Sequence, residues 1–277
     1  MLTSRLSPSA STSGCSRCFR TDADGRIPLT RDWRALLDTV SRLPTLAIQT
    51  RHTYARLVHL GPLPSLSWDE AGTTARDEAG SLHLRCHRWG EAWGRLALCT
   101  CCDSPGRIEI ENAQGGEILQ LCPVSGTPPA EWAGVLSVLA LSDAAQNFSG
   151  RKLTGFPLMP ESVRALPATA STVLPALLAA LGEEQIPVSF LLRTPEVTQL
   201  REFIPQQVST SYPLLIASDG CTTLQLALSP VHGLALGPDH SLHLAGPGGT
   251  LLLSLAPGAG RSEAWCAMLH ACLTTPQ

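Results

Sequence analysis

The chain of 277 residues has a single lysine, Lys152, and only two tyrosines, Tyr54 and Tyr212. Its longest apolar stretches, Val135 to Leu141 and Leu251 to Leu255, fall well short of the roughly 18 to 20 residues that a membrane-spanning helix needs. With lysine almost missing and a formal net charge of −3, the basic surplus of a nucleic-acid-binding surface is excluded. The chain contains no G-x-S-x-G, no G-x-x-x-x-G-K-[ST] and no H-E-x-x-H, so the nucleophile elbow, the P-loop and the zincin helix drop out as sources of chemistry. Histidine is missing from the whole interval between His87 and His232. The Ser-rich start lacks the apolar core of a secretory signal, which makes a cytoplasmic location the expectation and leaves the ten cysteines as thiols.

What the chain does have is 44% hydrophobic and 16% charged residues, the balance of a folded protein with room for two ordinary domains or one large one. It also repeats itself, which decides architecture before any motif is weighed. Leu43-Pro44-Thr45-Leu46-Ala47-Ile48 reappears as Ile186-Pro187-Val188-Ser189-Phe190-Leu191, and the same alignment sets Leu57 on Leu200, Leu60 on Phe203 and Pro62 on Pro205. Further on, Leu82-His83-Leu84 meets Leu224-Gln225-Leu226, while Gly115-Gly116 and Trp132 meet Gly248-Gly249 and Trp265.

Each half reads as a short helix, several strands and a closing helix. Asp32 is placed to cap a helix over Trp33 to Leu43, and Glu131 to Leu141 and Glu263 to Leu273 have the length and Ala/Leu content of closing helices. Alternation in Ile108-Glu109-Ile110-Glu111 marks a strand with one buried face, and runs such as Val197 to Phe203, Gly233 to Leu236 and Leu242 to Ala245 read as further strands. The fold class is therefore α+β, with two tandem structural repeats, each a large antiparallel β-sheet with terminal helices. The expected divisions are a tail over 1–26, a first repeat over 27–142, a Gly/Pro-bearing linker over 143–171 and a second repeat over 172–277.

Several segments carry a family resemblance. They are Arg31 to Leu37, Gln49-Thr50-Arg51-His52 with Val58-His59, Leu82 to Trp89, Glu111 to Gly116 and Gln185 to Val188. In their order, over about residues 27 to 273, they resemble the HemS/ChuX-type cytoplasmic haem-utilisation proteins in their two-repeat form. The resemblance implies haem held between the repeats, an axial His on the linker, and Arg and Tyr side chains beside the haem. Here Ala145 stands at the linker ligand position, and near Ala256, where the family has Tyr and Arg, Arg261 is the nearest substitute. The implied function is a haem-binding protein that carries or buffers haem after import for iron acquisition, with a haem importer or a haem oxygenase as its protein partners. A haem-degrading enzyme, and an interaction protein that kept the fold and lost the ligand, stay open beside it.

Haem iron takes an imidazole nitrogen or a phenolate oxygen, and its propionates favour guanidinium forks. The axial candidates are His87, next to Arg88 and Trp89, and then Tyr54, between Arg51 and Arg56; the propionate candidates are Arg88, Arg51 and Arg261. Because strand neighbours face opposite ways, His87 and Arg88 reach one ligand only if the strand ends or bulges there. Cys15/Cys18 and Cys99/Cys101/Cys102 lack the regular spacings that make thiol pairs diagnostic of zinc, so no metal centre is expected. Trp132 and Trp265 are expected as core anchors, and Trp89 and Trp93 either pack or stack on a planar ligand. Gly246-Pro247-Gly248-Gly249 reads as a hairpin turn.

Overall fold

The structure, a computed structural model, describes residues 21–97, 104–124, 126–141, 157–166 and 170–274. The first half runs β1 (Ile27–Pro28), α1 (Trp33–Val40), β2 (Leu46–Arg51), β3 (Ala55–Gly61), β4 (Leu66–Trp68), β5 (Ala75–Asp77), β6 (Leu82–Leu84), β7 (Trp89–Arg95), β8 (Arg107–Asn112), β9 (Glu117–Pro123) and α2 (Pro129–Leu139). The second half repeats that order: β10 (Arg164–Leu166), α3 (Ala170–Glu183), β11 (Val188–Arg193), β12 (Val197–Phe203), β13 (Gln207–Ser211), β14 (Leu214–Ser218), β15 (Thr222–Ala227), β16 (Gly233–Leu236), β17 (Leu242–Ala245), β18 (Leu251–Pro257) and α4 (Ser262–Thr274). Asp32 caps α1 by accepting the Ala35 N–H at 3.0 Å, which satisfies one of the orphan donors of the first turn.

Two nine-stranded antiparallel sheets result, as the α+β reading expects, and each contains strands of both halves. Sheet 1 has the order β1-β7-β8-β9-β2-β3-β15-β14-β13, and sheet 2 the order β10-β16-β17-β18-β11-β12-β6-β5-β4. Each half thus builds six strands of one sheet and lends its β4–β6 or β13–β15 ribbon to the other. The joints are β3 on β15, with Leu57 opposite Leu224, and β12 on β6, with Gln199 opposite Leu82. These registers pair Leu57 with Gln199 as repeat mates, one residue away from the Leu57–Leu200 match that the prolines give. A one-residue slip inverts the buried face of a strand, and the paired register keeps Leu57 and Gln199 both wholly buried.

The inner faces of the two sheets enclose two apolar clusters. One joins Ile48, Ile108 and Leu121 of sheet 1 to Leu82, Leu84 and Val197 of sheet 2, closed by α1 and α2. The other joins Phe190, Leu244 and Leu253 of sheet 2 to Leu57, Leu215 and Leu224 of sheet 1, closed by α3 and α4. Trp132 and Trp265 are wholly buried at matched places, with indole N–H groups donating to the Arg95 and His240 carbonyls at 3.2 and 2.8 Å. Five short strands have no counterpart in the sequence reading: β1, β4, β5, β10 and β13, all at or next to sheet edges. They are two to five residues long, and pairing alone makes them strands. β10 lies inside the stretch read as a linker and pairs with β16.

Because β3 and β12 each need a ribbon from the other half, a half expressed alone leaves both of its joints unpaired. A polypeptide spanning residues 27–142 is expected to fold only by exchanging β4–β6 with a second copy and to elute as a dimer in size-exclusion chromatography. A folded monomer would show that the exchange is dispensable.

Candidate functional site

The outer faces of the sheets carry the polar chemistry, and they differ in kind. On sheet 1 most of the charges are neutralised in place, although Arg56, opposite Arg51, makes no ion pair among the described residues. Glu109, between the buried Ile108 and Ile110, accepts from Arg95 Nε at 3.0 Å and from Arg107 Nε at 2.6 Å. Arg51 pairs with Glu117 at 2.7 Å, Arg26 with Glu111 at 3.0 Å and Arg31 with Glu91 at 3.0 Å. Gln49 donates to Gln120 beneath them.

Following strand pairing across the repeat gives the mates on sheet 2. Ala235 stands for Trp93, Gly237 for Arg95, Ser241 for Arg107, His243 for Glu109 and Ser254 for Gln120. Leu191 stands for Gln49, Arg193 for Arg51 and Leu251 for Glu117. Every bulky or charged group but two has become small or apolar. The exceptions are His243 and Arg193, and the counter-ion of Arg193 has been replaced by leucine. Across the strands the order is Ala235, His243, Ser254, Leu191 and Leu200, so Leu191 and Leu200 form an apolar patch with Ser254 and His243 on one side and a row of cations beside it.

That row is set by register. Arg76 lies opposite His83, His83 opposite Thr198, and Thr198 opposite Arg193, all alternating with buried residues such as Leu82, Leu84 and Leu192, so they share the outer face. Arg85 continues it, with Nη1 at 3.3 Å from Thr198 Oγ1 and 3.5 Å from the Thr194 carbonyl. Among the described residues, Arg76, Arg85, Arg88 and Arg193 make no ion pair. Burial and the neighbouring Arg193 and Arg88 guanidiniums push the Arg85 pKa down, with only Glu196 opposing. Arginines that repel one another in a partly desolvated place favour an anion between them.

Between Leu191 and Ala235 runs a directional hydrogen-bond chain. Ser241 Oγ donates to Asp239 Oδ1 at 2.6 Å and therefore accepts from His243 Nε2 at 2.9 Å, which leaves Nδ1 to accept from Ser254 Oγ at 2.8 Å. The tautomer follows from the network. Burial lowers the His243 pKa against the attraction of Asp239, so the ring is neutral at physiological pH. A Cβ at Gly237 would meet Asp239, Ser241 and His243 at once, so glycine makes room for the chain.

The sequence-derived candidates divide between the two sheets. β6 ends at Leu84 and Cys86–Arg88 form a 3-10 turn, so His87 and Arg88 are not bound to opposite faces. His87 is exposed, with Nδ1 3.3 Å from the Thr73 carbonyl, while Arg88 is half-buried and close enough to Arg85 to shift it. Tyr54 and Arg51 belong to sheet 1: Tyr54 sits in the β2–β3 turn against the second-half core, its N–H donating to His52 Nδ1 at 3.3 Å, and Arg51 is engaged by Glu117. Arg261 is exposed just ahead of α4. Trp89 is buried edge-on against Trp33, and Trp93 lies under Arg26 with its N–H on Glu111, so protein groups occupy both aromatics. The Gly246–Gly249 stretch joins β17 to β18 through a 3-10 turn. His83 and His243 were not singled out in the sequence. Their signal is the polar member of Leu82-His83-Leu84 and of Leu242-His243-Leu244. Ala145 and Cys15/Cys18 and Cys99/Cys101/Cys102 lie outside the described residues. Among the described residues no cluster of metal-ligating side chains occurs and no helix is long and apolar enough to cross a membrane.

Two further histidines sit away from this face. Burial pulls His52 and His59 down to about 4, and the unfolded chain protonates both near 6.5. The unfolded state thus binds more protons between about pH 6.5 and 4, and stability falls as pH drops through that window. His59→Gln is expected to flatten part of that loss, measured as the difference in urea midpoint between pH 7 and pH 4.5; an unchanged pH dependence would remove His59 as a contributor.

Comparison with known proteins rests on the fold. No family model matches the chain, and no curated protein matches it. Among solved structures, holo-PhuS, a haem-binding protein from Pseudomonas aeruginosa, superposes with a TM-score of 0.73 at 14% identity, covering 89% of this chain and 86% of that one. ChuS, an Escherichia coli haem oxygenase, gives a TM-score of 0.71 at 13% identity, covering 90% of this chain and 89% of that one. The chain has the two-repeat fold of PhuS and ChuS.

Proposed function

We propose that the chain binds haem on the outer face of sheet 2 and carries or buffers it after import in the cytoplasm. The observation that carries this reading is an arginine row that makes no ion pair among the described residues, in which Arg193 stands where its repeat mate Arg51 keeps Glu117. A planar apolar ring system suits the patch of Leu191 and Leu200, and paired propionates suit guanidinium groups that make no ion pair. PhuS is described as haem-binding and ChuS as a haem oxygenase, which favours haem over other planar dicarboxylates. A haem importer is the kind of partner such a carrier receives haem from, and a haem oxygenase the kind it hands haem to. Of the sequence candidates, Arg88 belongs to this face and His87 to its rim, while Tyr54, Arg51 and Arg261 would serve only a second site.

A haem-degrading reading draws on the chain from Ser254 through His243 and Ser241 to Asp239, since a hydrogen-bonded relay can pass protons. Loading with hemin and then adding reductant and oxygen separates the two. A carrier gives no more tetrapyrrole product than a non-specific haem-binding control protein.

Titration with hemin, followed at the Soret band, is expected to saturate at micromolar concentrations. Arg85→Ala and Arg193→Ala should each weaken it by roughly 10-fold to 100-fold, the worth of one charge-assisted hydrogen bond. No saturable shift in the parent protein would overturn the reading.

A further inference from the structure

Three histidines lie on the sheet 2 face or at its rim, and they differ in what their ring nitrogens already do. His243 has both engaged, by Ser241 and Ser254. His87 stands on the 3-10 turn with Nδ1 against the Thr73 carbonyl. His83 makes no hydrogen bond among the described residues, and it projects from the middle of the cation row, with Arg76 opposite it on β5 and Thr198 opposite it on β12.

We propose that His83 is the axial ligand of the bound haem, with Arg76, Arg85 and Arg193 around it holding the propionates. This rests on the haem-binding reading and assigns its iron ligand to a strand of the first repeat. The chemistry of the place is consistent. An imidazole ligates iron only when neutral, and burial together with Arg85, Arg76 and Arg193 keeps the His83 pKa below its usual value. The guanidiniums that keep the proton off His83 are the groups that the carboxylates of a haem would neutralise. A ligand with both a Lewis-acidic centre and two carboxylates answers both features at once. An ordinary solvated sheet face explains the exposed Arg76 and Arg193 but not the half-buried Arg85, which makes no ion pair among the described residues, beside a half-buried imidazole with no hydrogen bond there.

The test uses the full chain, hemin, and metal-free protoporphyrin IX, which offers the same plane and carboxylates without iron. His83→Ala is expected to lose the ligand-field shift of the hemin Soret band and about tenfold or more in hemin affinity. Metal-free porphyrin should bind this variant as it binds the parent protein, a result that also reports an intact fold, and added imidazole should restore the hemin spectrum. His87→Ala should leave the spectrum unchanged. A parent-like hemin spectrum in His83→Ala, a lost spectrum in His87→Ala alone, or equal weakening of hemin and porphyrin would each overturn the assignment. If the parent protein binds neither, the haem reading itself falls.

Discussion

Everything in this molecule hangs on two strand joints, β3 to β15 and β12 to β6. Each joint uses backbone hydrogen bonds that neither half satisfies within its own sheet, and buried backbone groups left unpaired are costly. Each joint also fixes which apolar residues enter which cluster. Leu57 and Leu224 meet across one joint and finish the second-half core, whereas Leu82 and Leu84 cross the other and finish the first-half core. Neither cluster is complete with residues from one half, so folding of the two halves is coupled through both pairing and packing.

The same exchange composes the candidate site. Arg76, His83 and Arg85 come from the first half, and Arg193, Leu191 and His243 from the second, yet all lie on one sheet. Their spacing is set by strand register, a rigid scaffold for a ligand contacted along its whole width. The contrast with sheet 1 is one of electrostatics: there Arg26, Arg31, Arg51, Arg95 and Arg107 pair with glutamates, whereas here Arg76, Arg85, Arg88 and Arg193 make no ion pair among the described residues.

How much of this was legible in the sequence follows from what each signal depends on. Val197 to Phe203, Gly233 to Leu236 and Leu242 to Ala245 are strands with the bounds that their pattern gives, because each is a local run of strand-forming residues that is paired on both sides. β4, β5 and β13 left no pattern, since three or five residues at an edge are strands only through a partner elsewhere in the chain. The repeat was visible, but the prolines that anchor it sit in the loops, where one residue more or less costs little, and the alignment they give is one residue out within the strands. The basic-Trp pattern points to Arg88, which lies close to Arg85. His83 and His243 were passed over because a polar residue between two leucines reads first as evidence for a strand, and only the pairing shows which face that residue joins.

Thr50 and Gln199 mark where the symmetry of the molecule fails. Both are wholly buried, where β2 packs on β12, and neither Thr50 Oγ1 nor the Gln199 amide has a partner among the described residues. Their repeat mates are Leu192 and Leu57, which are apolar. A pair of identical subunits exchanging the same ribbons has to write every residue twice, so a change that opened one outer face would strip the salt bridges from the other as well. Joining the two copies in one chain removes that obligation. One face is then free to keep its ion pairs while the other gives them up, and specialisation of a single face becomes open to a fold that began with two equal ones.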